Sequence, residues 1–259
     1  RNGLKCPPIG VKFHGLNMFQ KAVNFKAKLE HNMFRPAVKF NMLNADYNFS
    51  YGGKITEIIK RVGIEKSKIL DFPTGIGDDW LFENNNNQSV RTFLFIGRYE
   101  RLKGVEELNK AILSIQKNYD FKFLFVGPIP DIKKIDSPKV KYFVKIMYSN
   151  KLKEIYRSAD VLVCPSFSEG MPNVVMEAMA QSLAVIATDV GATSEMVNNN
   201  NGWLLNWTNV KDISKTLVAA IEISDVDLLE KRKISFQHIQ NKFVWQKIVE
   251  NLIAKLKEI

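Results

Sequence analysis

Cysteine is scarce: Cys6 and Cys164 are the only two in 259 residues. They form no CxxC or paired spacing, which argues against a disulfide framework or a thiolate zinc site and leaves buried free thiols in a reducing compartment. Histidine is nearly as sparse, with His14, His31 and His238 alone, and no His/Cys/carboxylate cluster has metal-ligand spacing. The lack of that spacing speaks against a metal site, and no metal or other cofactor is expected. Long apolar runs are missing as well. Stretches such as FLFIG and FLFVG are strand-sized, far below the roughly 18 residues that a membrane span needs. No secretory signal is legible, and the chain opens on Arg1 rather than Met, so the expectation is a cytosolic protein whose upstream portion is missing. Acidic residues are in deficit, 27 against 37 Lys and Arg, for a net charge of +10. The imbalance is sharpest over residues 11–40, where Lys12, Lys21, Lys26, Lys28, Arg35 and Lys39 face only Glu30. Such an excess attracts anions in general: nucleic acid, an anionic membrane surface or a phosphate-bearing ligand, or it is simply a solvated lysine-rich face. No aromatic-interleaved basic stretch or named motif points to nucleic acid, which is not expected as a partner.

What the chain does contain is a sizeable core, with 46% hydrophobic residues, and a βα rhythm. From residue 92, TFLFIG, FKFLFVG, VLVCPS and AVIATDV alternate with helical patterns such as VEELNKAILSIQ and VKDISKTLVAAIEI. Near-continuous Val/Ile/Leu/Phe strands spaced by helices are what a parallel sheet covered on both faces requires. The expected fold class is α/β, doubly wound. The first part repeats the rhythm over about 75 residues: GVKFHG, a basic helical stretch from about 18 to 46, YNFSYG, KITEIIKRVG and KSKILDF. These are too few strands for a complete doubly wound sheet, so this part reads as the tail of a larger domain. Between the two parts, PTGIGDDWLFENNNNQS has the composition of a boundary.

Ligands of such sheets gather at the carboxyl ends of the strands. After TFLFI comes GRYERLKG, with Arg98 at the strand end and Lys103 ahead of the next helix. The P-loop order is absent, but two cations flanking a strand-to-helix turn can clamp a diphosphate, Arg by its fork and Lys as a point charge. Read alone, they are better explained as a pair of solvated surface cations. After VLVCPS comes SEGMPNVVMEAMA. Pro172 suits the first helical position, placing Glu169 in the loop ahead of the helix and Glu177 about five residues in. Gly170 allows close backbone approach, and the first-turn N–H groups carry partial positive charge. Backbone donors for an anion beside carboxylates for hydroxyls fit a ligand with both, a nucleotide sugar. Taken singly, each acid is better explained by helix electrostatics or an exposed helix face. His14 also stands at a strand's carboxyl end. Asp225–Asp227 is read as a helix cap.

FIGRYERLKG, ADVLVCPSFSEGMPNVVMEAMA and AVIATDVGATSEMV together resemble the C-terminal domain of glycosyltransferase family 4, retaining enzymes of GT-B fold. The likeness is carried by Gly-Arg-x4-Lys-Gly, Ala-Asp before a strand, Glu-x7-Glu around Gly-Met-Pro-Asn, and a strand leading to Gly-x3-Glu. It covers about residues 75–220 and extends loosely backwards through FHG and NADYNFSYGG; FVW at 243–245 is similar to the family's closing segment. The resemblance implies a GT-B type fold with an incomplete N-terminal domain: 1–74 as the end of the acceptor-side Rossmann-like domain and 75–91 as the crossover. Residues 92–240 would form the nucleotide-sugar-binding Rossmann-like domain and 241–259 a C-terminal helix. It implies diphosphate contacts at Gly97, Arg98 and Lys103, a sugar contact at Glu169, and a ribose contact at Glu177. Gly170, Met171, Pro172, Asn173 and Val174 would form the loop around sugar and phosphate, with His14 facing the sugar from the other domain. Glu169, Arg98, Lys103 and His14 are the expected catalytic set.

The implied reaction is hexosyl transfer from a nucleoside-diphosphate sugar to a glycan or lipid-linked acceptor, with retention and without metal, in cell-surface polysaccharide or glycolipid assembly. A non-catalytic nucleotide-sugar-binding module or inactive fragment is the alternative. The segment MFQKAVNFKAKLEHNMF suits peripheral contact with an anionic membrane, placing the protein at the membrane's inner face. Four positions depart from the family pattern. Ser182 and Ala184 stand where Gly and Pro are frequent, and Thr74 and Gly77 where Asn and Asp are. The glycine-rich loop expected early in the N-terminal domain has no counterpart, so transfer by this chain alone is in doubt.

Overall fold

A computed structural model describes residues 7–85, 88–144, 146 and 149–258; Cys6 lies outside them. Two parallel sheets organise the chain. The first has three strands in sequence order, β1 (Gly10–Lys12), β2 (Tyr47–Ser50) and β3 (Ile69–Asp71), connected through α1 (Phe25–Asn44) and α2 (Gly53–Val62). The second holds β4 (Thr92–Ile96), β5 (Lys122–Val126), β6 (Val140–Phe143), β7 (Val161–Cys164), β8 (Ala184–Thr188) and β9 (Gly202–Leu205). Its helices are α3 (Val105–Ile115), α4 (Ser149–Arg157), α5 (Asn173–Ala180), α6 (Val210–Glu222) and α7 (Asp225–Lys242), and α8 (Trp245–Lys257) closes the chain. The fold is α/β of GT-B type, with a doubly wound Rossmann-like second sheet.

The second sheet runs β6-β5-β4-β7-β8-β9. This order reverses direction between β4 and β7, and the carboxyl ends of those two strands therefore bound a crevice. Alternation along the strands divides the core between two faces. Phe93 and Phe95 lie opposite Phe123 and Phe125 in register, and these rings pack with Val105, Leu108 and Ile112 of α3 and with Ile213 and Leu217 of α6. On the other face Leu94, Leu162 and Val185 meet Tyr156 of α4, Val175 and Met179 of α5, and Ile55, Ile58 and Ile59 of α2, the helix between β2 and β3. The second core thus spans both sheets. Placing α4 and α5 on one face brings Tyr156 against Glu177, which matters below.

Local sequence explains where elements begin. The basic stretch 18–46 is not one helix: a short 3-10 turn occupies Asn17–Phe19, and α1 starts only at Phe25. Asn24 sets that start, its side chain accepting the Ala27 N–H at 2.8 Å. Ser224 caps α7 in the same way, so Asp225 and Asp227 sit in a first helical turn, where acids are favoured. His31 and His238 lie in α1 and α7. The two passages between the sheets run side by side: Ile76 N–H donates to Phe243 O at 2.8 Å and Trp245 N–H to Ile76 O at 3.1 Å.

A crevice between two strand ends

The loops after β4 and β7 meet because Gly104 lets them. It adopts φ +68°, and a Cβ there would stand 2.1 Å from Pro165 O. Phe167 N–H then donates to Leu102 O at 2.8 Å. The contact turns Lys103 towards the β7 loop, where its ammonium lies 2.7 Å from Glu169 Oε1, with both side chains largely buried. Burial alone would lower Lys103, but the Glu169 carboxylate outweighs it and holds the lysine above its usual range. The pair arises from opposite sides of the topological switch, as the reversal of strand order predicts.

The Glu169 loop is fixed from the first sheet and from β8. Gln20 Nε2 donates to Glu169 O at 2.6 Å and to Gly15 O at 2.7 Å, and Ser168 Oγ donates to Asn17 Oδ1 at 2.9 Å. Below the loop, Gly191 at φ +59° leaves no room for a Cβ, which would stand 2.3 Å from both Glu169 O and Gly170 O. Ala192 N–H donates to Gly170 O at 2.7 Å. Glu195 of the Gly-x3-Glu stretch accepts Gly53 N–H at 2.8 Å, at the start of α2. This acid ties the two sheets together.

These contacts leave a cavity of about 570 Å³ lined by Lys12, His14, Tyr51, Thr74, Lys103, Glu169, the run Gly170–Val174, and Trp245. His14 Nδ1 lies 3.1 Å from the Tyr51 hydroxyl. Pro172 is the residue preceding the first helical position rather than occupying it, since α5 begins at Asn173. The N–H groups of Asn173 and Val174 thus have no acceptor within the helix. Glu177 is the fifth residue of α5 and lines an adjoining hollow of about 270 Å³ that shares Thr74, Asn173 and Trp245 with the first. It is not on an exposed face. The fully buried Tyr156 donates its hydroxyl to Glu177 Oε2 at 2.6 Å. Burial raises the Glu177 carboxyl, with the Tyr156 hydrogen bond pulling the other way.

Not every expected residue joins them. Arg98 stands apart from both hollows, its side chain 73% exposed and its Nε 3.1 Å from Glu100 Oε1. Gly97 lies beneath it at the end of β4, with its carbonyl against Gly127. Cys164, buried at the end of β7, is a thiol pushed up to about 12 by burial and then by Glu169, so it stays protonated. Among the described residues no group of three or more His, Cys, Asp or Glu could hold a metal ion. Lys12, Tyr51 and Trp245 line the cavity without having been singled out by motif. Only Trp245 had a signal, through FVW; Lys12 and Tyr51 are ordinary residues of β1 and the turn after β2.

A family model described as "Glycosyl transferases group 1" matches residues 90–222, half of the chain. The chain belongs to this glycosyltransferase family. A capsular polysaccharide biosynthesis glycosyltransferase of Staphylococcus aureus, CapM, is 29% identical over 177 residues, covering 63% of this chain and 46% of that protein. Among solved structures, the sucrose-phosphate synthase of Thermosynechococcus elongatus superposes with TM-score 0.79 at 19% identity, over 96% of this chain and 67% of that one. HepE of Anabaena, solved in complex with UDP and glucose, gives TM-score 0.75 at 14% identity, over 97% of this chain and 72% of that one. This group 1 chain spans about half the length, or less, of the curated relatives it matches. Among the described residues no helix is long and apolar enough to cross a membrane.

Proposed function

We propose that this chain forms the donor site of a retaining glycosyltransferase, which moves a hexose from a nucleoside-diphosphate sugar to a hydroxyl of a glycan or lipid-linked acceptor. The observation that carries the reading is the Lys103–Glu169 pair at the β4/β7 crevice, with Glu177 held in the adjoining hollow at the start of α5. The UDP and glucose bound in the HepE structure support the donor class, and the name of the Staphylococcus relative supports a role in cell-surface polysaccharide or glycolipid assembly.

In this reading the diphosphate rests on Lys103 and the first turn of α5, the sugar faces Glu169 and His14, and Glu177 takes the ribose hydroxyls. Gly97 and Gly170–Val174 supply close backbone. Negative charge grows on the departing diphosphate as the sugar becomes oxocarbenium-like, and preorganised donors stabilise it. Arg98 joins by leaving Glu100. An exposed pair of that kind contributes only about 0.2–1 kcal/mol, less than a charge-assisted contact to a diphosphate, at about 1.5–3 kcal/mol. The role a divalent ion plays elsewhere falls to these cations, so the proposed chemistry uses no metal. The protein would act at the cytoplasmic face of a membrane, with α1 against the lipid.

A thermal-shift series with uridine, guanosine and adenosine diphosphate sugars tests the donor assignment. One base class is expected to raise the melting point, since a ligand at a hundred times its dissociation constant adds about 2.7 kcal/mol. Lys103→Met should weaken that ligand at least about tenfold, because a hydrogen bond to a charged group contributes about 1.5–3 kcal/mol. Silence towards all three classes would remove the donor reading.

A further inference from the structure

The cavity has one cation more than it can neutralise. Among its lining residues only Glu169 is acidic, and Lys103 already engages it at 2.7 Å. Lys12 stands on the opposite, first-sheet wall. Its ammonium donates to Phe72 O at 2.7 Å and sits over the Phe72 and Tyr51 rings at 4.1 and 4.5 Å. No ion pair involves it among the described residues. A half-buried ammonium without a counter-ion is costly, and burial pushes Lys12 down to about 8. Ring faces and one carbonyl hold the side chain in place while leaving its charge unmatched.

We propose that the acceptor carries a negatively charged group, a carboxylate or a phosphate, and that Lys12 binds it on the first-sheet wall of the cavity. This rests on the reading of the cavity as a transfer site. Transfer needs two substrates on either side of the anomeric carbon. The donor's diphosphate has Lys103, Arg98 and the α5 N-terminus on the second-sheet side. The molecule on the other side meets Lys12, His14 and the Tyr51 hydroxyl. An anionic group there completes the charge balance that the protein leaves open, and it gives the acceptor a fixed orientation.

Calorimetric titration of the full chain with charged and neutral pairs tests this: methyl glucuronide against methyl glucoside for a carboxylate, glycerol 3-phosphate against glycerol for a phosphate. Inorganic phosphate and UDP are titrated separately. At least one charged probe is expected to bind about tenfold or more tighter than its neutral partner. Lys12→Met should abolish that preference, Lys12→Arg should keep it, and UDP affinity should stay within about twofold in both. Four results would overturn the proposal: no preference in the wild type, a preference that survives Lys12→Met, inorganic phosphate binding as tightly as glycerol 3-phosphate through Lys12, or loss of UDP binding in Lys12→Met. If Lys12→Met does not fold, the 13C-dimethylated Lys12 resonance of the wild type decides. Movement with a charged probe but not with its neutral partner supports the assignment, and a stationary signal rejects it. UDP failing to bind the wild type would sink the donor reading alone, because the glycoside and glycerol titrations contain no nucleotide.

Discussion

At the scale of single residues, the Glu177 hollow depends on a partner outside its lining. Tyr156 orients Glu177 from the buried side, leaving the other carboxylate oxygen for the hollow. Tyr156→Phe removes a donor from a carboxylate that burial already disfavours, and should cost about 1–3 kcal/mol in urea unfolding. The pH dependence has a definite sign. Glu177 is raised above its ordinary 4.5, so the folded chain holds that proton more tightly than the unfolded chain does. Its stabilising contribution is therefore full below about 4.5 and is lost as pH rises through the folded value. Wild type should lose stability relative to Glu177→Gln as pH climbs from 4 to 7, and parallel curves would contradict the linkage. The two glutamates were visible in the sequence because their spacing straddles Gly170 and Pro172. Tyr156 was not, since nothing in KLKEIYRSA says that α4 shares a sheet face with α5.

At the scale of elements, turns reveal why departures from the family pattern are tolerated. Ser182, where glycine is frequent in the resembled family, adopts φ +59° between α5 and β8, a backbone state that L residues enter at a cost of about 1–2 kcal/mol. Its hydroxyl repays the strain. Ser182 Oγ accepts Asn84 N–H at 3.1 Å and donates to Phe82 O at 3.1 Å, tying the crossover chain to the sheet. Ser182→Ala keeps the strain and loses both bonds, whereas Ser182→Gly loses the bonds but relieves the strain. The alanine variant should therefore be less stable than the glycine variant by about 1 kcal/mol, measured by denaturant midpoints. Equal midpoints would mean that the turn carries no strain. The strands and helices of the second sheet were legible because each is an uninterrupted apolar run or a clean helical pattern. The late start of α1 was not, because Gln20 is held by Glu169, 149 residues away, a tertiary contact that local pattern does not contain.

At the scale of the whole molecule, α1 carries an apolar stripe that faces away from the core. Phe25, Leu29, Met33, Phe40 and Leu43 fall within about 80° of one another at 100° per residue, and all are exposed. Met42, the helix's buried residue, lies on the other side. Lys26, Lys28, Arg35 and Lys39 flank the stripe against the single acid Glu30. An exposed apolar stripe bordered by cations is what the membrane contact proposed above calls for. Co-sedimentation with vesicles should be strong with anionic lipid, weak with zwitterionic lipid and reduced by salt. Replacing Leu29 and Phe40 by serine should abolish it without altering UDP binding. Binding indifferent to lipid charge would count against this placement. Sequence revealed the charge and the helix, while the bare face followed only from knowing which side packs.

The central claim is that a nucleotide sugar occupies the crevice between the ends of β4 and β7. Methyl NMR of 13C-labelled methionines tests it most directly, because Met171 lines the larger cavity, Met176 lines the Glu177 hollow, and Met33 sits on the outer stripe of α1. Titration with the nucleoside diphosphate sugar that raises the melting point should move the Met171 and Met176 signals together and leave Met33 in place. Saturable binding that leaves Met171 and Met176 unmoved would put the donor elsewhere and contradict the account.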